Sequence, residues 1–334
     1  MRQLEYTVRF LTPAFVGNAE QAGQWRTPPF KALLRQWWRM AVAHTLNFNV
    51  EQLRLKEGSL FGRAAEAKKN GDDYGRSKVR LRLDTWESGR LNQAPSFGAV
   101  TLGASANGGG RVAAALYLGY GPVLFKGGVT LKKSPAIEAG AKAKLALAFP
   151  EGQYIEDALA LMNAYGTVGG RSRNGWGSFQ LMGDHVGTRV HQRTWTEAME
   201  LDWPHALGRD QRGPLEWESQ PLARWEDALR LLAQTRLDMR RSVRYRWMLA
   251  YPLTGFNDAI GWGADVRVPH SIRFKVRARG EQYVAAIFHI PCRPAEELWN
   301  RLPRDKQRLD EFVDCFGSVH RFLDKHSQFH RVEG

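Results

Sequence analysis

The sequence predicts an α+β protein of two domains, each an antiparallel sheet with helices packed on it. Residues 4–10 alternate apolar and polar side chains, residues 30–45 repeat apolar ones at three and four, and 334 residues exceed one typical domain.

Leu4, Tyr6, Val8 and Phe10 alternate with Gln3, Glu5, Thr7 and Arg9, the period of a half-buried strand that Thr12-Pro13 ends. From Pro28-Pro29, which suit a first helical turn, Phe30, Leu33, Leu34, Trp37, Trp38, Ala41 and Val42 mark one face of a helix. A loop over Ala64–Gly75 precedes an alternating strand, Arg76–Asp84. A further strand is predicted over Val112–Tyr120, a helix over Ile155–Tyr165 and a strand over Ser178–Met182. Strand, helix, hairpin, helix, strand is the ferredoxin-like (RRM-like) order.

The second half predicts a helix over Pro221–Val243 and a strand over Arg244–Tyr251. A hairpin follows, with strands Ser271–Arg279 and Gln282–Ile290 about Gly280-Glu281, and a last helix over Arg304–Asp324. The boundary is placed between Gly183 and Thr194. This gives ferredoxin-like domains over 1–188 and 189–334, the second degenerate. Arg76–Arg82 and Ser271–Arg279, two strands with one basic face each, form a faint internal echo, whereas the match of Gly175-Trp176-Gly177 to Gly261-Trp262-Gly263 is short enough to recur by chance.

Lys and Arg total 48 against 34 for Asp and Glu, a net charge of +14 with a pI near 10.0, which points to a polyanionic partner. The alternative is an ordinary basic protein, so position must decide. Cys292 and Cys315 make no disulfide framework, no apolar run reaches the ~18 residues that would span a membrane, and the amino terminus alternates. A cytoplasmic protein with no membrane partner is expected.

Position favours RNA. Arg76, Lys78, Arg80 and Arg82 share one face of a strand, as do Arg273, Lys275, Arg277 and Arg279 of another. Like charges ~7 Å apart repel unless an anion neutralises them. The competing reading is a solvated sheet edge. On the first helix Lys31, Arg35 and Arg39 form a stripe at four-residue spacing. Trp38 borders it, as a base-stacking ring or as a core anchor. In the run 166–177, Gly169 and Gly170 let backbone N–H groups approach phosphate, and Arg171 and Arg173 add charge. Ser172, Asn174 and Trp176 complete this candidate RNA loop. It is expected to serve binding more than folding. It lacks the Lys and Ser/Thr of a P-loop, and no cofactor is expected.

Catalytic signals are thinner. His289, Cys292, Cys315 and His320 have zinc-ligand chemistry at unusual spacing, His44 has the chemistry of a general base, and Asp72 and Asp73 that of metal ligands. Neither a metal site nor a catalytic residue is expected.

Leu11-Thr12-Pro13-Ala14-Phe15-Val16-Gly17-Asn18-Ala19-Glu20, the run Pro29 to Arg39, Leu60-Phe61-Gly62 and the glycine-rich run Gly169 to Gly177 resemble the RAMP superfamily, in particular the first subunit of Cmr-type (type III-B) CRISPR effectors. The second half matches more loosely, with Pro269-His270-Ser271 where a Ser-Pro step is expected. The resemblance implies two ferredoxin-like domains, contact with CRISPR guide RNA or target RNA, and other Cmr-type subunits as partners in antiviral defence. Related subunits that slice RNA carry an acidic residue in the loop after the first strand. Here residues 17–27 offer Glu20 and no Asp, so slicing is not expected. The runner-up is a metal-independent RAMP endoribonuclease with His44 as base. A purely architectural subunit is a third reading.

Overall fold

A computed structural model describes residues 1–63, 75–102, 110–183, 191–251, 262, 266–268, 270–303 and 307–333. The chain divides into two units: 1–93, 131–172 and 176–191 form the first, and 94–130, 173–175 and 192–334 the second. The expectations for Asp72 and Asp73, for most of the loop before the basic strand, and for Gly261 and Gly263 lie outside the described residues.

In the first unit, strand β1 (Arg2–Phe10) leads to helix α1 (Thr27–Val42) and helix α2 (Val50–Phe61). Then come strands β2 (Arg80–Leu83) and β3 (Lys142–Phe149), helix α3 (Ile155–Tyr165) and strand β4 (Phe179–Met182). The strands form an antiparallel sheet in the order β2-β3-β1-β4. Tyr6, Val8 and Phe10 are buried while Glu5 is exposed, as the alternation requires. Phe30 of α1 meets Phe10 at 6.3 Å and Phe179 at 5.9 Å between ring centroids, which fixes the helix on the buried face.

The second unit repeats that arrangement. Strands β5 (Gln192–Thr194), β6 (Leu207–Asp210) and β7 (Gly213–Pro214) make a small sheet. After it come β8 (Glu216–Ser219), helix α4 (Trp225–Arg241), the hairpin β9 (Ile272–Arg279) and β10 (Gln282–His289), helix α5 (Leu309–Asp324) and β11 (Phe329–Arg331). Their sheet order is β9-β10-β8-β11, again antiparallel throughout. Trp217, Ile287, Phe274 and Phe316 are buried in its core. Among the described residues no helix is long and apolar enough to cross a membrane.

Two predicted elements are corrected. Val112–Tyr120 is chiefly the helix Ala114–Gly119, because Ala114, Ala115, Leu116 and Leu118 favour helix over strand. The first unit's hairpin partner is instead β3, whose Ala143, Leu145, Leu147 and Phe149 point inward. Arg244–Tyr251 holds a 3-10 turn, Arg246–Met248, and Tyr251 joins Val268 in an isolated bridge.

Candidate nucleic-acid interface

Strand β2 is an edge strand, anchored by buried Leu83 and preceded by buried Val79. Period-two alternation therefore turns Arg80 and Arg82 outward, whereas Arg76 and Lys78 precede the strand, which begins at Arg80 and not at Arg76 as predicted, with a bend at Lys78. All four are exposed, and none forms an ion pair among the described residues. Arg80 lies opposite Ala148 and Arg82 opposite Ala146, so small side chains flank them. The same sheet face carries exposed Lys142 and Lys144 on β3, with Lys142 opposite Arg9 of β1. Acidic groups beside it are Glu5, 3.2 Å from Lys144, and exposed Asp84 at the end of β2, whose carboxylate accepts the Lys144 backbone N–H at 2.8 Å.

Just past β2, Trp86 is 64% exposed. It borders an open cleft of about 490 Å³, lined also by Asn18, Glu20, Gln24, Trp25 and Arg26. Gln24 Nε2 donates to the Trp86 carbonyl at 2.8 Å and Arg26 to the Gly17 carbonyl at 2.6 Å, which fixes the backbone on both sides. An exposed indole between Thr85 and Glu87 has no apolar periodicity to join. That lone aromatic in polar sequence is the signal the sequence reading missed.

The helix stripe has a different role. Arg35 and Arg39 both bind the buried carboxylate of Glu57 on α2. Lys31 Nζ donates to Ser77 Oγ at 2.7 Å, and burial together with Arg35 lowers its pKa. Trp38 is corrected to a core residue: it is fully buried, edge-on to Phe61, and its Nε1 donates to the Gln153 carbonyl at 2.7 Å.

The glycine-rich run is corrected in part. Gly170 N–H donates to the Phe15 carbonyl at 2.9 Å and Gly177 N–H to the Pro13 carbonyl at 2.8 Å, so these amides serve the fold and not a phosphate. A Cβ on Gly169 would lie 2.7 Å from the Phe15 oxygen. Trp176 is fully buried against Phe15, and Asn174 is buried with its amide donating to the Leu118 carbonyl at 2.7 Å. Arg171, with φ +55°, and Arg173 remain exposed, and Ser172 half-buried.

Strand β9 is not an open basic face either. Lys275 is buried, and burial followed by Arg277 drives its pKa well below the usual lysine range. Arg277 donates to Glu216 and Glu218 on β8, and Arg279 pairs with Glu218 at 3.0 Å. Arg273 is half-buried with its Nε unpartnered. Burial and then Arg173 lower it to about 9. Carboxylates two strands away were invisible to a reading of one strand at a time.

The chain is similar to two solved structures. One is Cmr1 from Pyrococcus furiosus in its apo form, at 16% identity and a TM-score of 0.47, over 95% of this chain and 97% of that one. The other is the type III-B Cmr-beta complex bound to cognate target RNA, at 10% identity and a TM-score of 0.43, over 93% and 98%. No family model and no curated protein matches.

The residues with catalytic chemistry are placed as follows. His44 stacks on His191 with ring centroids 4.5 Å apart, and its Nδ1 is buried without a partner. Glu20 is exposed at the cleft. His289 and His320 meet at 2.9 Å, and Ser271 Oγ reaches His289 Nε2 at 3.2 Å. Among the described residues no three His, Cys, Asp or Glu converge as metal ligands. Burial pushes the Cys292 thiol up to about 11 and Cys315 to about 12.

Proposed function

We propose that the chain is a non-catalytic, RNA-binding subunit of a Cmr-type (type III-B) CRISPR effector, built from two ferredoxin-like RAMP domains. The shared strand order of the two four-stranded sheets supports the fold reading. One observation carries the function: four exposed cations, Arg76 and Lys78 just ahead of the edge strand and Arg80 and Arg82 in it, form no ion pair among the described residues and precede the exposed ring of Trp86. A row of charge can follow a phosphate backbone, and an aromatic platform can stack a base without reading its sequence. Guide or target RNA is the expected strand, other effector subunits the expected neighbours, and the cytoplasm the expected setting.

The test is binding of a single-stranded oligoribonucleotide over a range of salt. The parent is expected to lose affinity with a log–log slope of roughly −0.7 per phosphate contacted. The variant with Arg76, Lys78, Arg80 and Arg82 changed to Gln is expected to bind at least tenfold more weakly with a shallower slope. Equal affinity and slope in the two proteins overturns the assignment of this edge. RNA cleavage by the purified protein with chelator present returns the endoribonuclease reading.

A further inference from the structure

The second unit gathers cationic and N–H donor groups around one buried histidine. His270, just ahead of β9, is buried. Its Nδ1 accepts the Ile272 N–H at 3.1 Å, so in the neutral imidazole the proton sits on Nε2. That Nε2 is buried with no hydrogen-bond partner. A buried donor left unsatisfied keeps its full desolvation penalty, which argues that an acceptor belongs there.

What surrounds it is cationic. Arg236 and Arg240 stand four residues apart on α4 and so share a helix face. Arg173 is held beside β9 because its carbonyl accepts the Phe274 N–H at 3.1 Å, and Asn174 is tied to the Leu118 carbonyl. Burial, and then Arg236, Arg240 and Arg173, hold the His270 imidazole well below its ordinary range. Neither Arg173 nor Arg240 forms an ion pair among the described residues. The Arg236 guanidinium lies 5.3 Å over the Tyr117 ring, whose buried hydroxyl also lacks a partner. Guanidinium forks and a neutral N–H donor are together the chemistry that receives tetrahedral oxyanions.

We propose that Arg173, Arg236, Arg240 and His270 form a pocket for one phosphate group, the phosphodiester of a single-stranded RNA. The carrier rests on the function proposed above; the pocket does not. A free phosphate compound would present the same oxygens, and the two sources separate by experiment.

The full-length protein is titrated with a short oligouridylate at low salt, and separately its melting temperature is followed with millimolar inorganic phosphate at constant ionic strength. Expected for the Arg173→Gln/Arg240→Gln variant are an RNA affinity at least tenfold below the parent and loss of the parent's phosphate-induced rise in melting temperature. The Lys replacements at both positions should recover part of each. Arg173→Gln alone, at an exposed position, serves if the double variant misfolds. If the parent binds no oligouridylate yet loses its phosphate response in the variant, the pocket stands and the RNA reading fails. If the parent binds RNA and the variants match it in both measurements, the pocket is overturned while the edge-strand reading stands.

Discussion

Arg39 clamps Glu57 through both nitrogens of its fork, Nε to Oε2 at 2.7 Å and Nη2 to Oε1 at 2.6 Å. Glu57 keeps 4% side-chain exposure and Arg39 41%, so the pair is buried at the acid and wet at the base. It ties α2 to α1, which makes the cationic stripe a structural clasp. Arg35→Gln/Arg39→Gln is expected to destabilise the protein by about 1–3 kcal/mol. That is less than for a fully buried pair, because water screens the bases. RNA affinity should change less than threefold. Calorimetry beside a binding titration checks both, and unchanged stability with a large loss of affinity would restore the stripe to the interface.

Trp86 predicts the reverse. Stacking of one base on an aromatic ring contributes about 1–3 kcal/mol, which is roughly 5- to 150-fold in affinity. Trp86→Ala should weaken RNA binding within that range, and Trp86→Phe much less. A ring that is 64% exposed contributes little to the core, so stability should move by no more than about 0.5 kcal/mol. Quenching of Trp86 fluorescence by RNA, missing in the Ala variant, gives an independent readout.

The legible parts were those written in one element's own period. Helix Ile155–Tyr165 and the hairpin about Gly280 follow from local spacing, and both appear where expected. Strand β3 was legible and missed: Lys142, Lys144 and Ala146 alternate with Ala143, Leu145 and Leu147, but Ala and Lys are weak strand formers. Short β8 gave little signal by itself: of its four residues only the inward Trp217 is apolar, and buried Glu216 and Glu218 on its other face are neutralised by Arg277 and Arg279 of β9. Site residues failed for the same reason. Glu57 is eighteen residues from Arg39 in sequence, and no single-element pattern shows that it claims both arginines.

Two glycines of nearly equal φ separate close packing from backbone strain. Gly177 has φ +63°, and a Cβ there would lie 1.9 Å from the Val168 carbonyl oxygen. Gly280 has φ +61° with nothing within 4 Å. Gly280→Ala should therefore cost only the left-handed penalty, about 1–2 kcal/mol. Gly177→Ala adds a backbone collision and should cost about 3 kcal/mol or more. Denaturant midpoints of the two variants test this directly. Equal midpoints would mean that the glycine-rich run is a free surface loop after all.

Acid should loosen the second unit through its buried histidines. His289 and His320 lie 2.9 Å apart. Trp195, Trp217 and Phe316 pack around them, Ser271 stands on His289, and Arg331, Arg321 and Asp210 face His320. Burial, then Arg331, lowers His320 from the ordinary 6.5 to about 3. Burial, His320 and His270 hold His289 well below 6.5. A folded value below the unfolded one means that the unfolded chain binds the extra proton. Stability is then fully present above pH 6.5 and falls as pH drops through the window toward the folded value, by about 1.4 kcal/mol per pH unit for each proton withheld. Between about pH 6.5 and about pH 5 most carboxylates stay ionised, so the histidines dominate the slope there. Unfolding free energy measured by denaturant across that interval should drop by about 2 kcal/mol or more in the parent. His320→Gln removes one titrating ring and should flatten the dependence, whatever it does to stability at neutral pH. A parent curve with no slope in this interval would show that the pair takes up its protons without unfolding.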